Sequence, residues 1–311
     1  MVGSSVWPDR GGHLWAKDRQ VERADGTVVR YAVRGPVGAP PVVCCAGYLC
    51  PDNFWRTIGP DLATDHRVVI LNYRGVGASS EAYGEAYPPT AEAYRLPLLA
   101  GDVAAVMDVE GHRSATVIGH SMGVQVALAL WEQRPDLVGR LALVAGSATS
   151  PFETFYGTSI AAKLFPFIST TVPALPRDLS GVALRALELP VTMPVARAIR
   201  ALGPHTPDEG MRPYRWHLGR IDPRTAIWTA RGMHEYSATP FLGDLDVPVF
   251  VAIGGEDAWT PPRVGRELAE AVGTSDLLLI PGGSHALPIE FPGLLLPRIR
   301  ALTPGTAAAA Q

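Results

Sequence analysis

The sequence predicts an α/β protein with a mostly parallel central sheet, helices on both faces and a helical insertion. In its first half, short β-branched runs alternate with longer segments of helical periodicity. The same alternation returns near the C-terminal end, after a middle stretch that has no clear strand. Continuous Val/Ile/Leu strands separated by helices are typical of a parallel sheet covered on both faces. In such sheets, active sites lie at the carboxyl ends of the strands.

The predicted elements follow from hydrophobic runs and their Gly and Pro boundaries. Strands are expected over 27–35, 41–47, 67–75, 115–120, 139–146, 247–255 and 276–283. Helices are expected over 52–65, 95–111, 122–135, 261–273 and 293–302.

A change of pattern in the middle of the chain indicates a second unit. Residues 1–148 and 239–302 form the predicted core domain, and the Pro-broken, mostly helical residues 149–238 form a predicted cap. Residues 303–311 are expected to be a flexible tail.

Charge and composition restrict the class of partner. The chain has 311 residues, of which 47% are hydrophobic and 18% charged, and its net charge is −3 without a run of like charges. We therefore expect a small, weakly charged substrate rather than nucleic acid or an anionic membrane. No secretion signal or membrane-spanning run is recognisable, so a cytoplasmic location is expected. The sequence leaves monomer and homodimer open.

The cysteines favour a structural interpretation. Cys44, Cys45 and Cys50 fall in or beside an apolar strand and are expected to be buried thiols. No Cys or His group has metal-ligand spacing, and the G-x-G in "NYRGVGASS" does not extend to a dinucleotide motif. We therefore expect neither a metal nor a cofactor.

The segment Gly119-His120-Ser121-Met122-Gly123 fits G-x-S-x-G and lies between a predicted strand and a predicted helix. Small residues around the serine permit a strained turn that lifts its hydroxyl clear of the sheet. The alternative is a serine that only caps the following helix.

A nucleophilic serine needs a histidine and a carboxylate. Asp257 and His285 each follow a predicted strand in a Gly-rich loop, which gives the chain order Ser, Asp, His. Glu256, next to Asp257, is an alternative candidate for the carboxylate that orients the histidine, and Asp244 and Asp246 are more distant candidates.

With these residues assigned, the chain resembles the α/β-hydrolase family, specifically its serine-nucleophile, esterase/lipase-like branch. The matching stretches are "AGYLCPDNFW", "NYRGVGASS", "VIGHSMG", "AIGGEDAWTP" and "IPGGSHALPIE". The resemblance implies a triad of Ser121, His285 and Asp257, with the family's spacing selecting Asp257, and a cap over the active site.

The resemblance also implies two backbone N–H donors for an oxyanion. One is Met122, the residue after the nucleophile. The other follows the family's usual His-Gly pair, which is Ala46-Gly47 here, so Tyr48 is the expected donor. Tyr48 could instead form a wall of the pocket.

Residues near these positions and aromatic residues of the cap are expected to form an apolar pocket for a hydrophobic acyl or alcohol group. The predicted pocket residues are Gly47, His120, Phe152, Phe155, Trp259 and Ala286.

The predicted function is hydrolysis of a carboxylic ester through an acyl-enzyme. A thioesterase or lactonase of secondary metabolism, or a carbon–carbon bond hydrolase or perhydrolase with the same triad, is the alternative enzyme. A hydrolase-fold protein that only binds a small ligand is the non-enzyme alternative.

Overall fold

The computed structural model describes residues 14–79 and 90–303. The predicted tail from residue 304 onward lies outside the described residues. The fold is built on one eight-stranded sheet with the order β1-β2-β4-β3-β5-β6-β7-β8. β3 to β8 run parallel, whereas β1 and β2 are antiparallel to their neighbours. The predicted α/β class with a mostly parallel sheet is confirmed.

All seven predicted strands are present, with an additional one at the edge. The strands are β1 Arg19–Glu22, β2 Val28–Arg34, β3 Pro41–Cys45, β4 Arg67–Leu71, β5 Ala115–His120, β6 Val138–Val144, β7 Val249–Gly254 and β8 Leu277–Ile280. The sequence did not reveal β1 because its residues "RQVE" are polar and mostly exposed. β4 ends at Leu71 rather than at residue 75, because the chain turns there through Gly75 at φ 72°.

Eleven α-helices accompany these strands in the described chain. They are α1 Ile58–Leu62, α2 Leu96–Val109, α3 Met122–Gln133, α4 Ile160–Thr171, α5 Arg177–Arg185, α6 Thr192–Ala198, α7 Asp208–Leu218, α8 Pro223–Glu235, α9 Pro262–Ala271, α10 Leu287–Glu290 and α11 Pro292–Leu302.

The helix predicted over 52–65 is wrong as one element. The structure has a 3-10 turn at Asp52–Trp55 and then the short helix α1. Pro60 lacks an N–H group, so an α-helix that began before residue 56 would lose a hydrogen bond there. The same proline is tolerated in the first turn of α1.

The strand β3 shows how the sheet separates two apolar layers. Val43 and Cys45 belong to the core cluster on one face, and Val42 and Cys44 belong to the cluster on the other. Alternation of side chains along a strand accounts for this division. Cys44, Cys45 and Cys50 are buried free thiols, which confirms their predicted structural role.

The helices α4 to α8 lie between β6 and β7 in the chain, where the sequence predicted the cap. α7 contacts the turn at Asp52–Trp55, and α8 contacts the turn at Ala91–Tyr94. This places the helical segment above loops that leave the carboxyl ends of β3 and β4. In the described residues, no helix is both long and apolar enough to cross a membrane.

Candidate active site

Ser121 occupies a strained turn between β5 and α3. Its φ of 55° and ψ of −120° are unfavourable for an L-residue, and its N–H donates to the Val144 carbonyl over 3.0 Å. The glycines around it are required by close backbone approach. A Cβ at Gly123 would lie 2.0 Å from the Cys45 carbonyl oxygen, and one at Gly119 would lie 2.5 Å from the Gly123 oxygen. Neighbouring strands therefore hold the serine in this conformation.

The three predicted triad side chains meet in one hydrogen-bonded chain. His285 Nε2 lies 2.7 Å from Ser121 Oγ, and His285 Nδ1 lies 2.9 Å from Asp257 Oδ2. Asp257 is 3% exposed, while the rivals Glu256, Asp244 and Asp246 are exposed to solvent. This geometry favours Asp257 over those rivals, because an exposed carboxylate that makes no contact with the imidazole cannot orient it.

Asp257 is held by donors that the sequence analysis did not identify. Its Oδ1 accepts from the N–H groups of Trp259 and Thr260 over 2.8 and 2.9 Å, and its Oδ2 accepts from Thr260 Oγ1 over 2.8 Å. Bonds of this kind stabilise the ionised carboxylate. The available sequence signal was a threonine three residues after the aspartate, a spacing common in polar turns.

His120 links the turn at Ser121 to the loop that carries His285. Its Nε2 donates to the backbone carbonyl of His285 over 2.8 Å, and its ring stacks on Phe54 with centroids 4.8 Å apart. Burial lowers the pKa of His120 to about 3. The ring is therefore neutral, and its buried Nδ1 has no partner among the described residues.

Tyr48 and Met122, the two expected oxyanion donors, both line the cavity that Ser121 lines. Met122 is the first residue of α3, where the N–H has no partner within the helix. The Gly47 carbonyl accepts from the Cys50 N–H over 3.1 Å, closing a turn with Leu49 at φ 52°. Because the Gly47 carbonyl and the Tyr48 N–H share one peptide plane, this bond fixes the direction of that N–H.

Tyr48 is also bound to the helical segment above it. Its hydroxyl donates to the Ala226 carbonyl of α8 over 2.7 Å, and its own carbonyl accepts from the Tyr214 hydroxyl of α7 over 3.2 Å. The proposed donor and the cap helices are thus held together.

A cavity of about 590 Å³ opens beside Ser121. Its walls include five of the six predicted pocket residues, His120, Phe152, Phe155, Trp259 and Ala286. Gly47 is not among the lining residues; it packs behind the serine, where a Cβ would lie 3.2 Å from Ser121 Cβ. Phe155 packs against Trp259 with centroids 4.4 Å apart.

Most of the cavity wall is apolar and comes from the cap. Sequence reasoning named only two cap residues for it; the structure adds Phe165, Met193, Met211, Tyr214, Leu218 and Met233 among others. Arg215 is the one Lys or Arg residue among the lining residues, and its guanidinium donates to the carbonyls of Leu187 and Glu188 over 3.0 Å each. The cavity thus suits an uncharged, hydrophobic group.

The described residues include no group of three or more His, Cys, Asp or Glu side chains placed to hold a metal ion. Ser121 and His285 are among the polar residues that line the cavity, together with Gln125, Ser147 and Thr260; Asp257 is not a lining residue.

The family model for the alpha/beta hydrolase fold matches residues 40–292. This range contains the serine turn, both loops that carry Asp257 and His285, and the helical insertion. The chain belongs to the alpha/beta hydrolase family.

Particular relatives include a pimeloyl-(acyl-carrier protein) methyl ester esterase from Neisseria meningitidis. It is 30% identical over 212 residues, which are 65% of this chain and 60% of that relative's length. A hydrolase from Pseudomonas aeruginosa has a similar structure, with a TM-score of 0.71, 21% identity and coverage of 91% of this chain and 97% of that one. An enol-lactonase from Burkholderia xenovorans has a TM-score of 0.68 at 21% identity, covering 91% and 99%. The two solved structures support the shared fold.

Proposed function

We propose that this protein is a serine hydrolase that cleaves a carboxylic ester of a small, largely hydrophobic substrate. The observation that carries the proposal is the unbroken hydrogen-bonded chain from Asp257 through His285 to Ser121, at a strained turn that opens into an apolar cavity. The esterase from Neisseria, which acts on a methyl ester, supports ester rather than amide cleavage.

In the first half of the reaction, Ser121 Oγ attacks the ester carbonyl while its proton passes to His285 Nε2. Asp257 holds the Nδ1–H tautomer and stabilises the imidazolium that forms. The N–H groups of Met122 and Tyr48 donate to the developing oxyanion. Collapse of the tetrahedral intermediate breaks the carbon–oxygen bond, and His285 returns the proton to the departing alcohol.

In the second half, water attacks the acyl-enzyme. His285 takes a proton from that water, the same two N–H groups hold the second oxyanion, and Ser121 recovers its proton as the carboxylic acid leaves. No cofactor takes part in these steps.

Replacement of Ser121 by alanine tests the nucleophile. Ser121→Ala should lower kcat for p-nitrophenyl butyrate by about 10⁴-fold or more, because the attacking group is lost. Ser147→Ala is a matched control, since Ser147 lines the same cavity without contacting His285. Steady-state kinetics with circular dichroism would check activity and folding together. Retained turnover in a folded Ser121→Ala protein would remove Ser121 from this role.

A fluorophosphonate probe separates an enzyme from a protein that only binds a ligand. We expect stoichiometric labelling at Ser121, detected by intact mass and peptide mapping, because the probe reacts only with an activated serine. A folded protein that stays unlabelled would favour the binding alternative. Parallel assays of ester, thioester and lactone substrates would then rank the leaving groups.

A further inference from the structure

The cap exposes an unusual amount of apolar surface. Among the side chains that the structure describes, which leave out those of residues 177–179, eleven of the seventeen exposed large apolar ones lie between residues 156 and 199. A protein that does not use such a surface ordinarily buries it, and clustered exposure marks an interaction site. This part of the cap therefore has the character of a surface that a partner covers.

On α4 the exposed side chains form a regular stripe. Ile160, Leu164, Phe167 and Ile168 follow the i, i+4, i+7, i+8 spacing of one helix face, and Phe167 is 73% exposed. Phe165, on another side of the helix, is buried and stacks on Phe152 with centroids 4.6 Å apart. The helix thus presents one apolar face to the protein and a second one to solvent.

The helix α6 repeats the arrangement. Val195 lies on α6, Val191 and Ile199 lie four residues away from it at the two ends of the helix, and all three are about half exposed. Val195 and Ile199 also line the catalytic cavity. Phe165 of α4 lines the same cavity, so both helices border it. The apolar exterior of the cap is therefore continuous with the interior at α6.

The charge of this segment differs from that of the whole chain. Residues 158–203 contain five Lys or Arg residues and two acidic ones, in a protein whose net charge is −3. Lys163, Arg185 and Arg200 are exposed, and none of them pairs with a carboxylate in the described part of the chain. An apolar helix face with nearby cations is the composition that binds an anionic lipid–water interface.

We propose that the faces of α4 and α6 dock on an anionic lipid surface, and that substrate enters the cavity from that surface. This extends the proposed function by naming the substrate as a lipophilic ester held in a lipid aggregate. It differs from the expectation, drawn from the charge of the whole chain, that an anionic membrane is not a partner. A second copy of the chain fits this face less well, because two such segments carry the same sign of charge.

Vesicle binding tests the docking surface apart from catalysis. Full-length Ser121→Ala protein should co-sediment with vesicles of 30% phosphatidylglycerol in phosphatidylcholine, and bind pure phosphatidylcholine vesicles more weakly. The double substitution Leu164→Glu/Phe167→Glu should lower binding by about tenfold or more, because two exposed apolar side chains and two units of charge are changed. The matched control is Val109→Glu/Leu294→Glu, which changes exposed apolar residues outside the cap by the same charge.

The cation contribution has its own variant. Lys163→Gln/Arg185→Gln should reduce binding to the anionic vesicles and leave the weaker binding to neutral vesicles unchanged. Added salt should produce the same pattern in the unsubstituted protein.

The second part of the test measures hydrolysis of a soluble ester and of a vesicle-embedded ester. With Ser121 intact, Leu164→Glu/Phe167→Glu should hydrolyse soluble p-nitrophenyl acetate at the rate of the unsubstituted protein and lose most activity on a vesicle-embedded p-nitrophenyl ester. Equal vesicle binding by the cap variant and the control would overturn the proposal. So would a dimer, measured by light scattering, that the cap variant alone dissociates. If neither the unsubstituted protein nor the variants with Ser121 intact hydrolysed either ester, the proposed function would be contradicted. The co-sedimentation measurements would still test the docking surface.

Discussion

At the scale of single residues, His120 is buried beside His285 but is not part of the hydrogen-bonded chain of Ser121, His285 and Asp257. At pH values above about 7, His120 is neutral in both the folded and the unfolded chain, so its burial does not make the free energy of unfolding depend on pH. In the unfolded chain, however, this histidine binds a proton with a pKa of about 6.5. The folded pKa is about 3, so folding loses stability as pH falls between these two values.

The expected size of this effect can be measured. The free energy of unfolding should fall by about 1.5 kcal/mol more between pH 6.5 and 5.0 in the unsubstituted protein than in His120→Gln. The glutamine amide reaches about as far as the imidazole Nε2, so it can keep an N–H donor for the His285 carbonyl, and it does not titrate. Urea denaturation at the two pH values provides the comparison, and parallel pH dependence in both proteins would contradict the assignment.

Gly123 supports a second prediction at this scale. Gly123→Ala should destabilise the fold by about 3 kcal/mol or more, because its Cβ would lie 2.0 Å from a backbone oxygen that cannot move alone. Gly181→Ala is the control, since a Cβ at that helical position meets no atom within 4 Å. We expect the control to be neutral or slightly stabilising in thermal unfolding. Equal melting temperatures for the two variants would argue against the predicted clash.

At the scale of elements, α7 and α8 hold the loop that carries a proposed oxyanion donor. Tyr214 of α7 donates to the Tyr48 carbonyl, and Tyr48 donates to Ala226 of α8. These bonds therefore couple the position of Tyr48, a proposed oxyanion donor, to the positions of α7 and α8.

Tyr214→Phe should therefore lower kcat by roughly tenfold while changing KM little, since it loosens an oxyanion donor without removing it. Tyr236→Phe is the matched control, because the Tyr236 hydroxyl is buried with no partner among the described residues. Steady-state kinetics on a short soluble ester would separate kcat from KM. A change in KM alone would instead indicate that Tyr214 only shapes the pocket.

At the scale of the whole molecule, the cavity between sheet and cap should set the acyl preference. Ala196 of α6 lines the cavity, whereas Ala198 on the same helix is exposed. Ala196→Trp should lower kcat/KM for p-nitrophenyl decanoate by about tenfold relative to the acetate, because the added ring occupies space that a long chain needs. Ala198→Trp should leave the ratio unchanged. Chain-length profiles of the two variants would make the comparison, and equal profiles would mean that long chains bind elsewhere.

The sequence predicted the sheet and the Ser121, Asp257 and His285 arrangement because both depend on local patterns. The strands β5, β7 and β8 are mostly apolar runs, and Ser121, Asp257 and His285 lie in the turns or loops that follow them. The contacts of Tyr48 with α7 and α8 could not be predicted, since they join positions more than 160 residues apart through side chains with no sequence signature. The strand β1 was missed for a different reason: as an edge strand it is not required to be apolar.

The bond from His120 to the His285 carbonyl has a practical consequence. In a Ser121→Ala protein, His285 would still be anchored by that bond and by Asp257. The loss of one hydroxyl should thus leave the surrounding cavity in its working shape. An uncleaved ester soaked into crystals of such a protein would then report how the true substrate lies, and so identify it.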